Sequence, residues 1–364
     1  MKTSHKLYFE CSSDISSCID ESVNLVVTSP PYPMIEMWDE LFSLSNEKIL
    51  DALNNYDGER AFELMHKELD KVWIEADRVL KQGGYFCINI GDATRTIGKS
   101  FKLYPNHVRV SECFNKLGYD TLPCIIWRKP SNKPTKFMGS GMLAPNAYVT
   151  MEHEYILIFR KGSKRTFLNS ELEKRRKSAY FWEERNIWFS DVWMDLKGVS
   201  QKLNHTNLRK VTAAFPLELV YRLINMYSIQ EDIILDPFLG TGTTTIAAML
   251  LGRNSIGCEI NPQFESIIRN RFKNLQEDNF TLYRERIEKH KKFLEEKNFK
   301  SEPKYFSKNY GFPVVTNQEV NISFPLVTKI YDKSSTEVIV EYNDNTNLES
   351  FFDIKKNSVL SDFL

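Results

Sequence analysis

The segment from Ile233 to Leu251 does most to limit how this chain can fold. Ile233-Ile234-Leu235 is a short apolar run, Asp236-Pro237-Phe238-Leu239-Gly240-Thr241-Gly242-Thr243-Thr244 is a glycine-bearing turn, and Thr245 to Leu251 is a helical stretch. Strand, glycine turn and helix in that order are the local grammar of a nucleotide-type cofactor loop. The glycines let a ligand approach the backbone, and the free N–H groups of the helix start face it. A second apolar run, Ser255-Ile256-Gly257-Cys258, ends in Glu259, 23 residues beyond Asp236. That is near the spacing of roughly 20 at which an acidic residue at a strand end meets ribose hydroxyls. No Gly-Lys-Ser/Thr follows the loop, and Thr245 stands where Gly-x-Gly-x-x-Gly would need its third glycine. A ligand with a ribose but no pyrophosphate fits best.

Far upstream, the apolar run Val23 to Val27 ends in Thr28-Ser29-Pro30-Pro31-Tyr32. Two prolines remove backbone donors and lock φ, so the strand stops and the chain leaves the sheet as a rigid corner. Such a corner presents a hydroxyl, carbonyls freed from pairing and an aromatic ring. These groups suit an extruded nucleobase with an exocyclic amine: acceptors for its N–H, and a ring to stack on. Alone, the segment reads as a Pro-Pro turn with a structural tyrosine; the downstream loop changes that reading.

Together the two segments resemble the amino-methyltransferases of DNA, which methylate exocyclic amines of cytosine or adenine. The catalytic tetrapeptide of that family matches Ser29-Pro30-Pro31-Tyr32, and its Phe-x-Gly-x-Gly cofactor core after Asp-Pro matches Asp236 to Gly242. The catalytic motif comes first, the permuted order of the β group, and the resemblance covers roughly residues 6 to 276. It implies S-adenosyl-L-methionine as cofactor without a metal. The residues expected around that cofactor are Glu10, Thr28, Phe215, Asp236, Pro237, Phe238, Gly240, Gly242, Thr243 and Glu259. Leu80 to Gly84, Asn89 to Asp92, Ile126 to Pro130 and His153 to Tyr155 resemble segments lining the family's target pocket, and Thr212 to Pro216 its Ala-x-Phe-Pro segment. Two departures stand out. A histidine common just before Ala-x-Phe-Pro is missing, His205 being too far upstream, and Phe9-Glu10 stands where Gly-Asp is usual.

Periodicity gives strands at Leu7 to Glu10, Val23 to Thr28, Tyr85 to Ile90, Leu122 to Trp127, Tyr155 to Arg160, Ile233 to Asp236 and Ser255 to Glu259. Helices are expected over Glu59 to Leu80, Asn106 to Leu117 and Leu217 to Met226, the last opened by Pro216. The expectation is an α/β fold, a doubly wound, mostly parallel seven-stranded Rossmann-like methyltransferase sheet. Pro33 to about Asn55, with Met34, Ile35, Met37 and Trp38, is too apolar for an idle loop and is expected to fold over the site. The chain divides into a catalytic part (1–160), a target-recognition region (161–205), a cofactor-binding part (206–276) and a C-terminal α+β appendage of unknown role (277–364). In that appendage a helix is expected from Glu285 to Phe299 and a hairpin turn at Lys333-Ser334-Ser335.

Net charge is zero, yet residues 126 to 210 carry 17 Lys and Arg against 8 Asp and Glu, a local +9. One basic face on a neutral protein suits a polyanion. Lys174-Arg175-Arg176-Lys177 is the expected phosphate-binding run; the rival is a solvated helix face, Ser170 to Tyr180, with the DNA surface instead around Arg128, Lys129, Lys133 and Lys136. Six cysteines without a Cys-x-x-Cys pair suggest reduced thiols and a cytoplasmic protein, and the six histidines show no metal-ligand spacing. No apolar run approaches the ~18 residues of a membrane span.

The expected activity is site-specific methylation of the N4 amine of a flipped cytosine in duplex DNA. The partners would be double-stranded DNA and, in a restriction-modification pair, an endonuclease acting on the same site. N6-adenine methylation is the alternative, because serine before Pro-Pro-Tyr is linked to cytosine only by association. A nucleic-acid-binding module with an inactive pocket is the alternative of another class. Methylation at C5 needs a nucleophilic cysteine; Pro123-Cys124 lies in a strand and precedes the cofactor motif, so it is read as structural.

Overall fold

The computed structural model describes residues 1–129, 138–198, 215–297 and 303–343. A ten-stranded sheet runs through its centre. Numbered along the chain, its strands are β1 (Lys2–Tyr8), β2 (Val23–Thr28), β3 (Leu80–Ile90), β4 (Asp120–Arg128), β5 (His153–Arg160), β6 (Val192–Trp193), β7 (Ile233–Asp236), β8 (Asn254–Cys258), β9 (Leu326–Asp332) and β10 (Glu337–Asn343). The spatial order is β6-β4-β5-β3-β2-β7-β8-β1-β10-β9. From β3 through β2, β7 and β8 to β1 all neighbours are parallel, β5 is antiparallel between β3 and β4, and β10 and β9 are antiparallel beyond β1.

Every residue of β2 is buried. Its mostly apolar run is what a central parallel strand needs when both faces are covered. Asn24, its one amide, accepts the Ile233 N–H at 3.0 Å and ties the start of β7 to β2. The stretch after Pro33 is two short helices, α1 (Asp39–Ser45) and α2 (Glu47–Asn54). Helix α3 (Gly58–Val79) and helix α4 (Asn106–Lys116) cover one face, joined by Trp73, Phe86 and Phe114. Asp57 starts α3 by accepting the Arg60 N–H, a side-chain cap on an otherwise unpaired donor.

The segment expected to recognise the target forms α5 (Asn169–Lys177), α6 (Trp182–Trp188) and β6, which pairs parallel with Ile126 and Trp127. Helix α7 (Leu217–Tyr227) and helix α8 (Thr243–Leu250) cover the second face of the sheet. Helix α9 (Phe264–Arg271) follows β8, and α10 (Leu275–Lys297) begins ten residues before the helix expected at Glu285.

The seven expected strands all lie in this sheet, and three more extend it. Strand β1 begins well before Leu7 because its inward positions Thr3 and His5 are polar and hide the alternation. His5 is fully buried between the hydroxyls of Thr3 and Ser255, at 2.7 and 2.8 Å, and burial pushes its pKa down to about 3. The turn at Lys333 to Ser335 joins β9 to β10, as expected, but this hairpin pairs with β1 inside the central sheet, and Tyr342 donates to the Met249 carbonyl at 2.6 Å. Through β1 the hairpin is continuous with β8 of the same sheet.

The aromatics from Tyr180 to Trp193 pack on one another and into neighbouring parts of the fold. Trp188 packs edge-on against Tyr221, and Phe181 joins Tyr283, Phe312 and Phe324 from the C-terminal segment. There Glu183, His290 and Glu319 bring ligand-type atoms within 4.8 Å of one another, a cluster that spacing along the chain does not show. The protein already engages most of these atoms, though the second Glu183 oxygen is buried without a hydrogen-bond partner. His290 bonds Glu183 and the Pro313 carbonyl at 2.9 and 3.0 Å, and Glu319 accepts the N–H groups of Trp182 and Thr316.

Cys18, Cys87, Cys113 and Cys258 are buried and Cys11 is exposed; Cys124 sits in β4. No helix among the described residues is long and apolar enough to cross a membrane.

Candidate active site

The parallel strands end along one edge of the sheet, and both sequence motifs leave it there. A cavity of about 470 Å³ opens between them, within the range of about 300–1,000 Å³ common for small-ligand sites. Ser29, Pro30, Pro31 and Tyr32 line it together with Glu10, Phe215, Pro237, Phe238, Gly240, Thr243 and Glu259. Residues some 200 positions apart in the chain thus meet because β2 and β7 are adjacent strands.

Thr28, Asp236 and Gly242, also expected against the cofactor, are not among the residues that line the cavity. Asp236 accepts from the Thr28 hydroxyl at 2.7 Å, the Phe238 N–H at 3.0 Å and the Thr244 hydroxyl at 2.5 Å, so it locks the end of β7 to the end of β2 and to the start of α8. Burial pushes its carboxyl up to about 6. Gly242 has φ +82°, and a side chain there would meet Ile268 of α9 at 3.0 Å; its bareness serves helix packing. Gly240, at φ +53°, faces open space, with no heavy atom closer to an added Cβ than the Phe238 carbonyl oxygen at 4.0 Å. Of the two glycines, Gly240 keeps backbone bare toward the cavity.

Asp236→Ala is therefore expected to act on stability. It would strand the Thr28 hydroxyl and the Phe238 N–H and leave the Thr244 hydroxyl only the Val27 carbonyl at 3.4 Å, at a cost of about 2–3 kcal/mol, read as a lower Tm in thermal unfolding. Because the folded carboxyl titrates near 6 and an unfolded one near about 4, this group stabilises the fold fully below about pH 4 and loses that contribution as pH rises through about 6. The variant should lack this component of the pH dependence.

Glu259 is almost wholly buried and braces the glycine loop: one oxygen accepts the Gly240 N–H at 2.7 Å, the other the Asn261 N–H at 2.9 Å. Burial raises its pKa despite these bonds. Each oxygen keeps a second lone pair for a hydroxyl. Glu10 lies just past β1, exposed at the rim of the same cavity.

At the corner, the Tyr32 hydroxyl donates to Glu154 at 3.0 Å and lies 3.1 Å from the Ser29 hydroxyl, while the Asn89 amide donates to Tyr32 at 2.8 Å and to Glu154 at 2.7 Å. Lys129 pairs with the other Glu154 oxygen. Burial, then the Glu154 charge, hold the phenol far above its ordinary pKa, so it stays protonated. Its single proton goes to Glu154. The Ser29 proton then points at Tyr32, and the Ser29 oxygen, which the Asn89 amide also approaches at 3.5 Å, keeps a lone pair as acceptor toward the cavity. Asn106 braces the corner from behind, donating to the carbonyls of Pro33 and Gly91 at 3.1 and 2.9 Å. A side chain at Gly91 would meet the Tyr32 ring at 3.0 Å.

Reading the sequence alone misses Asn106 and the roles of Lys129 and Asn89. It misses Leu69 and Val72 of α3 as well, which line the cavity but carry an ordinary core periodicity. Trp38, Leu41 and Phe42 also line it, as expected for a segment folded over the site. Thr212 to Ala214, His205, Lys133, Lys136 and the chain after Asn343 lie outside the described residues.

The expected phosphate-binding run is displaced from this site. Lys174 to Lys177 end α5, where Lys174 pairs with Glu231 at 2.6 Å and Lys177 with Glu173 at 2.9 Å. Glu231 and Asp232 precede β7, so α5 lies at the start of the parallel strands, and the corner lies past their ends. A strand as long as β2 separates the two by about 16 Å. Arg128 and Lys129 lie at the corner's end of the sheet, where the chain leaves β4 and returns to β5 through a hairpin with exposed Met142 and Leu143.

Comparison with known proteins agrees with this architecture. A family model described as DNA methylase, covering the N6 and N4 enzymes, matches residues 23–270. The Type II methyltransferase M.MthZI of Methanothermobacter thermautotrophicus is 60% identical over 324 residues, 88% of this chain and 90% of its own. M.MjaI of Methanocaldococcus jannaschii, also named a Type II methyltransferase, is 52% identical over 277 residues, 73% of this chain and 90% of its own. Among solved structures, a candidate DNA modification methylase of Thermus thermophilus, complexed with S-adenosyl-L-methionine, superposes with a TM-score of 0.58 at 32% identity over 74% of this chain and 94% of its own. The chain belongs to the N6/N4 family of DNA methylases.

Proposed function

We propose that this protein transfers a methyl group from S-adenosyl-L-methionine to the N4 amine of a cytosine in duplex DNA, as the modification partner of a restriction endonuclease. S-adenosyl-L-methionine fits the residues present: a carboxylate with spare lone pairs at Glu259, a second at Glu10, bare backbone at Gly240, and an aromatic and apolar wall at Phe215, Phe238 and Phe264. When bound it supplies an electrophilic methyl group on a sulfonium.

The polarity of the corner carries the proposal. An exocyclic amine is a poor nucleophile because its lone pair is delocalised into the ring. Ser29, with its own proton committed to Tyr32, accepts an amine N–H, and the Pro30 carbonyl, freed from sheet pairing, is the acceptor assigned to the other. Two such acceptors draw the nitrogen toward sp³ geometry and hold it for in-line attack. Tyr32, pinned through Asn89 and Glu154, keeps its ring fixed for stacking. Cytosine is favoured over adenine by the serine of the tetrapeptide and by the continuation Pro33 to Asp39, similar to cytosine-specific members. The relatives' naming as Type II methyltransferases supports the restriction-modification role. The segment of DNA that carries the reacting base is proposed to approach the strand-end edge, toward Arg128 and Lys129.

Methylated DNA digested to nucleosides should contain N4-methylcytosine. N6-methyladenine would overturn the base assignment and keep the amine chemistry; 5-methylcytosine would overturn both. DNA binding without methyl transfer would favour the inactive-pocket reading.

A further inference from the structure

At the edge of the sheet opposite the corner, a groove of about 1120 Å³ runs between α5, α6, the turn after α7 and the stretch Thr316 to Asn321. Its cations are Lys164, Arg165, Arg175, Arg176, Arg185 and Lys308. Arg165 is neutralised by Asp232 and Glu171, each at 2.7 Å. The other five meet no carboxylate among the described residues. The one acidic residue of the lining, Glu319, is buried and turned inward, its two oxygens taken by the N–H groups of Trp182 and Thr316 at 2.8 and 2.5 Å. Like charges gathered without counter-charge raise the energy of the empty groove and favour an anion in it.

The arrangement is also pre-set. The Arg175 guanidinium lies over the Phe167 ring at 4.4 Å and shares it with Arg165 at 4.8 Å, and Arg185 lies over Phe189 at 5.5 Å. Rings that hold guanidinium groups in place reduce the entropy lost when those groups bind. The free cations come from three separate parts of the chain: the stretch before α5, the two helices, and Lys308 beyond α10. They line a groove rather than converge on one point, and Asn317, Gln318 and Asn321 add amides to the same wall. A linear polyanion uses such a row; a single phosphate does not.

We propose that this groove is a second DNA-binding site, which holds the phosphodiester backbone of duplex lying beyond the segment engaged at the corner. The proposal rests on the DNA-methylating reading and adds a contact that this reading does not require. It also divides the basic run of α5: Arg175 and Arg176 face the groove, while Lys174 and Lys177 are spent on ion pairs. A short duplex at the corner cannot reach across the sheet, whereas a long one can bend around it at a cost of a few kcal/mol.

The test is the triple variant Arg176→Ser, Arg185→Ser, Lys308→Ser, all exposed residues, with its thermal unfolding checked against the parent. Affinity for duplexes of about 12 and about 60 base pairs, both methylated by the parent, is measured against salt. Each phosphate contact contributes about 0.9 to the slope of log K against log salt, so the long-duplex slope should fall by about 2–3 in the variant. Short-duplex affinity and methylation should be unchanged. Equal long-duplex slopes for parent and variant overturn the second site, as does a groove that takes polyglutamate while DNA slopes stay put. A parent that methylates neither duplex overturns the DNA-methylating reading instead, so the two failures are distinct.

Discussion

Ser29→Ala will lower methyl transfer about 10²- to 10³-fold while S-adenosyl-L-methionine affinity stays near that of the parent. The serine stands past the end of β2, and its oxygen is the acceptor that the Tyr32–Glu154 chain turns toward the cavity. Losing a preorganised acceptor of this kind costs about 2.7–4 kcal/mol of transition-state stabilisation. The loss should appear in single-turnover rates, and calorimetric titration of the cofactor should be little altered. Tyr32→Phe should act in the same direction, because the Ser29 proton then loses its acceptor and the serine is free to turn. Near-parental turnover of Ser29→Ala would remove the corner from the chemistry.

Glu259→Ala will weaken cofactor binding about 10- to 100-fold, the worth of one charge-assisted hydrogen-bond pair at about 1.5–3 kcal/mol. Two effects add. The carboxylate is lost to the ribose hydroxyls, and the Gly240 and Asn261 N–H groups lose the oxygens that now hold the loop. Gly240→Val should weaken binding too, since its side chain would enter the open cavity. Gly242→Val makes the discriminating control: its side chain strikes Ile268, so it should lower the unfolding temperature first. Unaltered cofactor affinity in both Glu259→Ala and Gly240→Val, measured by calorimetry, would disprove the assignment of this loop.

Much of this was legible in the chain itself. The apolar runs of β2, β3, β5, β7 and β8 announce buried strands because a central strand covered on both faces needs few polar positions. The Pro-Pro corner and the Asp-Pro-Phe-x-Gly-x-Gly turn are equally plain, since each depends on backbone properties that few residues possess. The local sequence also decided which ends of β2 and β7 carry chemistry.

What it left open was decided by contacts between distant segments. Strand β1 was misjudged because Thr3, His5 and Ser255 satisfy one another across neighbouring strands, and no window along the chain contains all three. Asp236 and Gly242 sit in the glycine turn, but only the folded chain brings them against Thr28 and Ile268, where they brace the strand ends and the helix packing. The Lys174–Lys177 run was readable as charge, but its place relative to the corner depends on β5, which runs antiparallel and delivers the next segment to the opposite edge. Residue type and local spacing determined the strands, the corner and the glycine turn, because those follow from backbone freedom and alternation. Tertiary structure alone decided which polar groups face the cavity and which are consumed by one another, because a hydrogen bond or ion pair is set by position in space and not by order in the chain.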